Sequence, residues 1–88
     1  MGIYRDEFCV VFPKLLQQYN ISCYRIAQFS GLDQAYLSRL KNGTKNNPSP
    51  EVVMRIALAM CHVNDKIVIS DIEQLFNSTG RTLGLSIA

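Results

Sequence analysis

A single histidine and three widely spaced cysteines, with no C-x-x-C pair, leave this sequence without the ligand set of a zinc site. Cys9, Cys23 and Cys61 are odd in number and far apart, which argues against a disulfide framework and predicts reduced, buried thiols. His62 beside Cys61 has no third partner to make a Cys-His nucleophile, so it is expected simply to end a helix. A glycine-rich phosphate loop is missing too, since Gly31 and Gly43 stand 12 residues apart as turn glycines. No apolar run approaches the roughly 18 residues that cross a bilayer. The segment Met1 to Glu7 lacks the apolar stretch and small-residue cleavage site of a secretory signal, and Gly2 has no Ser or Thr at the myristoylation position. The expected location is therefore cytoplasmic, with no membrane partner, no cofactor, no metal and no small-molecule ligand indicated. At 88 residues the chain is too short for the two lobes with which most enzymes enclose a substrate, so a binding module is expected rather than an enzyme.

What is present is a composition of 48% apolar and 18% charged residues, which suits one compact core. The net charge of +2 is unevenly spread. Residues 8 to 50 hold Lys14, Arg25, Arg39, Lys41 and Lys45 against Asp33 alone, a local charge of +4, while the remainder carries −2. From Gln34 to Pro50 there is no acid at all. A local excess of this kind attracts phosphates.

Phe8, Val11, Phe12, Leu15, Leu16 and Tyr19 recur at the spacing of a helix that buries one stripe. Pro13 lies inside that pattern, so the helix either kinks there or breaks near Cys9 to Phe12. Asn20 ends it. Ser22 is a natural N-cap for a short second helix through Ser30, with Ile26, Ala27 and Cys23 as its inward positions. Gly31 permits the left-handed residue of a tight turn, Leu32 points inward, and Asp33 caps a third helix from Gln34 to Lys41 with Leu37 and Leu40 inside. Two short helices thus meet at a three-residue turn.

Asn42 to Pro48 is dense in turn formers and reads as an exposed loop. Ser49-Pro50 then opens a fourth helix with Val53, Ile56, Ala57, Met60 and Cys61 on its buried stripe. Beyond Asn64 the signals compete. Lys66 to Ile69 is strand-like, yet Val68, Ile72, Leu75 and Phe76 continue at helical spacing and Ser70 to Glu73 has the form of a capping box. A fifth helix is expected to start at Asn64 or at Ser70 and to end near Asn77, followed by Gly80. The tail from Arg81 to Ala88, apolar at Leu83, Leu85 and Ile87, reads as a short strand.

The run Leu15 to Ser22, then Ile26-Ala27, Gly31-Leu32, Leu37-Ser38-Arg39-Leu40, Asn42-Gly43, Pro48-Ser49 and Ala57, resembles the phage-repressor and Cro type of helix-turn-helix, the xenobiotic response element family. The resemblance covers about residues 8 to 77. It implies an all-α, five-helix lambda-repressor-like domain over residues 1–80, with a tail at 81–88. It also implies a regulator, most often a repressor, that binds double-stranded DNA through its third helix in the major groove. Gln34, Ala35, Tyr36 and Arg39 then take the base-facing positions. Gln34 suits adenine, Arg39 guanine, and the Ala35 methyl a thymine methyl. Tyr36 has a competing reading in which its ring packs beside helix two. Ser22, Cys23 and Tyr24 at the start of helix two would meet phosphate through free backbone donors. Asn42, Thr44, Lys45 and Asn46 would hold the DNA backbone from the loop, and Lys41 at the end of helix three would face phosphate. The start of helix four is less inviting to phosphate because of Glu51.

Two positions depart from the family's pattern. Cys23 stands where many members have a phosphate-binding glutamine. Leu16 and Lys41 stand where many members pair an arginine with a glutamate, so both partners are replaced together and no charge is stranded.

Such domains commonly act as twofold dimers on palindromic sites. Ile67 to Ile69, Leu75, Phe76 and the tail around Leu83 to Ile87 are candidates for the homodimer contact, and the rival reading is that they close the monomer's own core. A second class of function, a protein-interaction module such as an antitoxin half or an adaptor, uses the same fold to dock a protein. The acid-free reading face favours DNA.

Overall fold

Five helices follow the apolar periodicity: α1 (Phe8–Tyr19), α2 (Cys23–Ser30), α3 (Gln34–Asn42), α4 (Pro50–Val63) and α5 (Ile69–Asn77). The structure, a computed structural model, describes residues 7–45 and 47–79, and no strand occurs among them. The strand expected in the tail lies outside the described residues. Where Lys66 to Val68 had a strand-like composition, the chain makes a turn and the N-cap of α5.

Pro13 neither breaks nor ends α1, contrary to one of the two expectations. The lost hydrogen bond and ring clash of an internal proline cost about 3 kcal/mol. Phe8, Val11 and Phe12 before it and Leu15 and Leu16 after it are all buried. Each such side chain contributes about 1.5–3 kcal/mol on burial, so the continuous stripe outweighs the proline. Asn20 then stops the helix in the left-handed region at φ 56°, where its N–H and that of Ile21 fold back on the carbonyls of Gln17 and Leu16.

The core takes one stripe from each helix. Phe12, Leu15, Ile26, Leu37, Leu40, Val53, Ile56, Met60 and Leu75 are its largest fully enclosed members. α2 packs chiefly on α4, α1 lies on α3, and α5 closes against α1 and α4.

Because α4 is covered by both α2 and α5, its buried arc turns toward Ala59 rather than Cys61. Ala59 is enclosed and Cys61 is exposed, which corrects the stripe read from sequence. The expectation of buried thiols is corrected with it: all three cysteines are free, Cys9 and Cys23 half-buried and Cys61 in solvent. His62 lies in the last turn of α4, one residue before its end.

α5 starts at Ile69, at neither position the sequence offered. The reason is tertiary. Buried Asp71 sits three residues after Val68, accepts from the Val68 N–H at 3.2 Å and also accepts from the Tyr19 hydroxyl of α1. Ser70 therefore lies inside the helix instead of capping it. Asn64 holds the other side of this junction, its amide donating to the Tyr19 carbonyl at 3.2 Å and accepting from the Lys66 N–H at 2.8 Å. Leu75 and Phe76 are buried, so they close the monomer's core and leave the list of dimer candidates. Ile67 is half-buried against the core, whereas Val68 and Ile69 remain exposed.

The Asp71 bond raises the pKa of Tyr19 above its ordinary value, with burial and the carboxylate's charge adding to it. The folded state thus holds this proton more tightly than the unfolded chain. Its stabilisation is whole below pH ~10 and is lost as pH rises through the folded value. Melts of wild type and Tyr19→Phe should differ by a constant interval in Tm from pH 7 to 9. The interval should shrink above pH ~10.

Candidate nucleic-acid interface

Local capping builds the α2–turn–α3 unit. The Ser22 hydroxyl accepts from the Arg25 N–H at 3.2 Å to start α2, and the Asp33 carboxylate accepts from the Tyr36 N–H at 3.0 Å to start α3. Between them Gly31 adopts φ 76°, and the Ser30 hydroxyl, itself buried, accepts from the Leu32 N–H at 3.0 Å. Leu32 turns inward and packs on the core. A Cβ at Gly31 would meet nothing closer than an Arg55 nitrogen at 3.5 Å, so the need for glycine is conformational rather than steric. Gly31→Ala is expected to cost about 1–2 kcal/mol, read as a lower urea midpoint, because an L side chain disfavours this region.

α3 has two faces. Leu37 and Leu40 are wholly enclosed, and this anchors the helix so that Gln34, Ala35 and Arg39 stand in solvent. Tyr36 lies between the faces, packing partly on the core while keeping part of its surface exposed. α3 runs one residue further than expected, so Asn42 is its last residue rather than the first of the loop. Gly43 ends it at φ 85°, and the Lys45 N–H returns to the Arg39 carbonyl at 3.1 Å. That bond folds the loop back onto the helix end, where Lys41, Asn42, Thr44 and Lys45 are all exposed. Asn46 lies outside the described residues. None of Arg39, Lys41 and Lys45 has an ion-pair partner among the described residues.

The start of α2 adds Ser22 and Tyr24, both exposed, and half-buried Cys23. Burial pushes the Cys23 thiol up, with the positive charge of Lys41 pulling the other way. The thiol is therefore neutral near pH 7 and sets no negative charge against an approaching phosphate. Leu16 and Lys41 line one open groove of about 330 Å³ with Pro13, Gln17, Asn20 and Ile21. The two residues that stand in place of the family's arginine–glutamate pair thus border the same groove.

At the start of α4 the Ser49 hydroxyl accepts from the Val52 N–H at 3.3 Å, and Glu51 pairs with Arg55 at 3.0 Å. The Glu51 charge that made this end unattractive to phosphate is therefore partly answered within the helix. Sequence reading missed Arg55, whose Nη1 also reaches the Ser30 carbonyl at 3.3 Å. The signal available was its i,i+4 spacing from Glu51. No group of His, Cys, Asp and Glu among the described residues could hold a metal ion, and no helix among them is long and apolar enough to cross a membrane.

Comparison with curated proteins and with solved structures finds no match. A profile of the helix-turn-helix family matches residues 14–60, more than half of the chain. The matched span holds the second half of α1, the α2–turn–α3 unit and most of α4, the elements whose caps and buried faces orient α3. The family is one of DNA-binding regulatory domains rather than of enzymes. The chain belongs to the helix-turn-helix family of DNA-binding regulators, of the phage-repressor and Cro type.

Proposed function

We propose that this protein is a sequence-specific transcriptional repressor that occludes a promoter by setting α3 into the major groove of double-stranded DNA. The observation that carries the reading is the two-faced α3. Its inner face is locked by Leu37 and Leu40, its outer face presents Gln34, Ala35 and Arg39, and no acid occurs from Gln34 to Pro50. Gln34 and Arg39 read adenine and guanine edges, Ala35 meets a thymine methyl, and Tyr36 contributes its exposed part. The free backbone donors at Ser22, Cys23 and Tyr24 and the side chains of Lys41, Asn42, Thr44, Lys45 and Asn46 hold the phosphates that set the register.

In this reading residues 1–80 form the DNA-binding domain and residues 81–88 join Val68 and Ile69 in a homodimer contact, working in the cytoplasm on a palindromic site. The half-exposed apolar pair Val68 and Ile69 supports it. Deleting residues 81–88 should halve the mass measured by light scattering; an unchanged mass removes the tail from the contact.

The test of the whole reading is selection from a pool of random duplexes at about 0.15 M salt. Enrichment of a palindrome supports it. Weak, salt-sensitive binding without enrichment turns attention to the second class, an antitoxin or adaptor. One observation favours that class: Phe29, Met54 and Leu58 are exposed on α2 and α4, with the Phe29 ring 4.2 Å from that of His62.

A further inference from the structure

One side chain ties the turn between α2 and α3 to α4. Arg55 Nη1 donates to the carbonyl of Ser30, the last residue of α2, at 3.3 Å. Its Nε and Nη2 both grip Glu51 Oε2, at 3.3 and 3.0 Å. A carbonyl at a helix C-terminus carries the negative end of the helix dipole, which favours a cation there. A planar guanidinium with five donors can serve that carbonyl and a carboxylate together, and Glu51 keeps it from swinging away. The next residue, Gly31, is the left-handed pivot from which α3 departs.

We propose that Arg55 is a positioning residue for DNA reading: it fixes the angle between α2 and α3, and so the place at which Gln34, Ala35 and Arg39 meet the bases, without itself touching DNA. The inference rests on the regulator reading above. A purely stabilising role fits the geometry less well. The Arg55 side chain is 48% exposed and that of Glu51 73%, and solvent-exposed i,i+4 pairs contribute little to folding. A recognition constellation, by contrast, loses much of its affinity when it is displaced by roughly 0.5 Å or 10–20°.

The test uses the full chain and two substitutions. Arg55→Met keeps the aliphatic length and removes every donor; Arg55→Lys keeps the charge. The probes are the duplex that wild type enriches from the random pool and a scrambled duplex of equal length. Arg55→Met should bind the enriched duplex about tenfold more weakly and the scrambled one within about twofold of wild type, with the slope of log affinity against log salt unchanged. Arg55→Lys should recover to within about threefold of wild type, since an ammonium can still reach the carbonyl. Equal losses on both duplexes with a slope smaller by about 1 would mean that Arg55 contacts phosphate, and would overturn the proposal. An unchanged ratio between the duplexes would overturn it as well.

Amide exchange supplies a readout independent of DNA. The Gly31 N–H, bonded to the Ala27 carbonyl at 3.3 Å, should exchange faster in Arg55→Met while the thermal midpoint stays within a few degrees. Unchanged protection there would remove the clamp whatever the binding data. Lack of enrichment by wild type sinks the regulator reading itself, so the two failures are told apart.

Discussion

Arg39→Ala is expected to keep the fold and to bind the selected duplex about 1–3 kcal/mol more weakly, between several-fold and a hundredfold or so, while losing its preference for guanine at one position of each half-site. Arg39 is exposed, so its truncation opens no cavity, and its backbone carbonyl still accepts from Lys45. On the proposed reading the cost arises at the base edge, where a bidentate fork would be replaced by a methyl group that leaves the guanine acceptors unpaired. Binding titrations against duplexes differing at one position measure it. A uniform loss across all of them, with a salt slope smaller by about 1, would instead place Arg39 on phosphate.

Phe12→Ala is expected to cost about 3–5 kcal/mol of folding stability, the largest effect of any single truncation proposed for this chain. Phe12 is fully enclosed, and its ring centroid lies 5.2 Å from that of Phe8, so removal leaves a cavity and an unpartnered aromatic together. A domain of this size has roughly 5–15 kcal/mol in total. Urea titration followed by circular dichroism should show a midpoint lowered by about a fifth or more, and an undiminished midpoint would mean that the core refills the space.

The parts of this fold that were legible in the sequence are those decided within one turn of chain. Ser22, Asp33 and Ser49 start helices because each side chain accepts from the backbone N–H three residues on, and the Pro50 ring pre-sets its own φ for the first turn. Gly31 marks the turn because its conformation is a property of one residue. The outward position of Gln34 and Arg39 followed from the inward position of Leu37 and Leu40 by simple periodicity. What escaped was settled by partners distant in sequence. The capping signal at Ser70 is genuine as a local pattern, but Tyr19 reaches Asp71 from α1 and shifts the start of α5. Cys61 fits the stripe of α4 by spacing, yet the arc is chosen by how α2 and α5 lie across it. Leu75 and Phe76 could not be divided between core and dimer contact without knowing where α5 docks. Arg55 went unremarked, because the Ser30 carbonyl it serves is 25 positions earlier in the chain.

The bond between Tyr19 and Asp71 joins residues 52 positions apart and closes the longest loop of any side-chain hydrogen bond described above. A link of that span forms only after the intervening helices have collapsed, since closing a long loop costs entropy before any contact rewards it. Its loss should therefore be felt as a faster escape from the native state, with the rate of arrival nearly unchanged. In stopped-flow measurements Tyr19→Phe should steepen nothing and shift only the unfolding arm of the chevron, making this tyrosine a latch that sets the native lifetime.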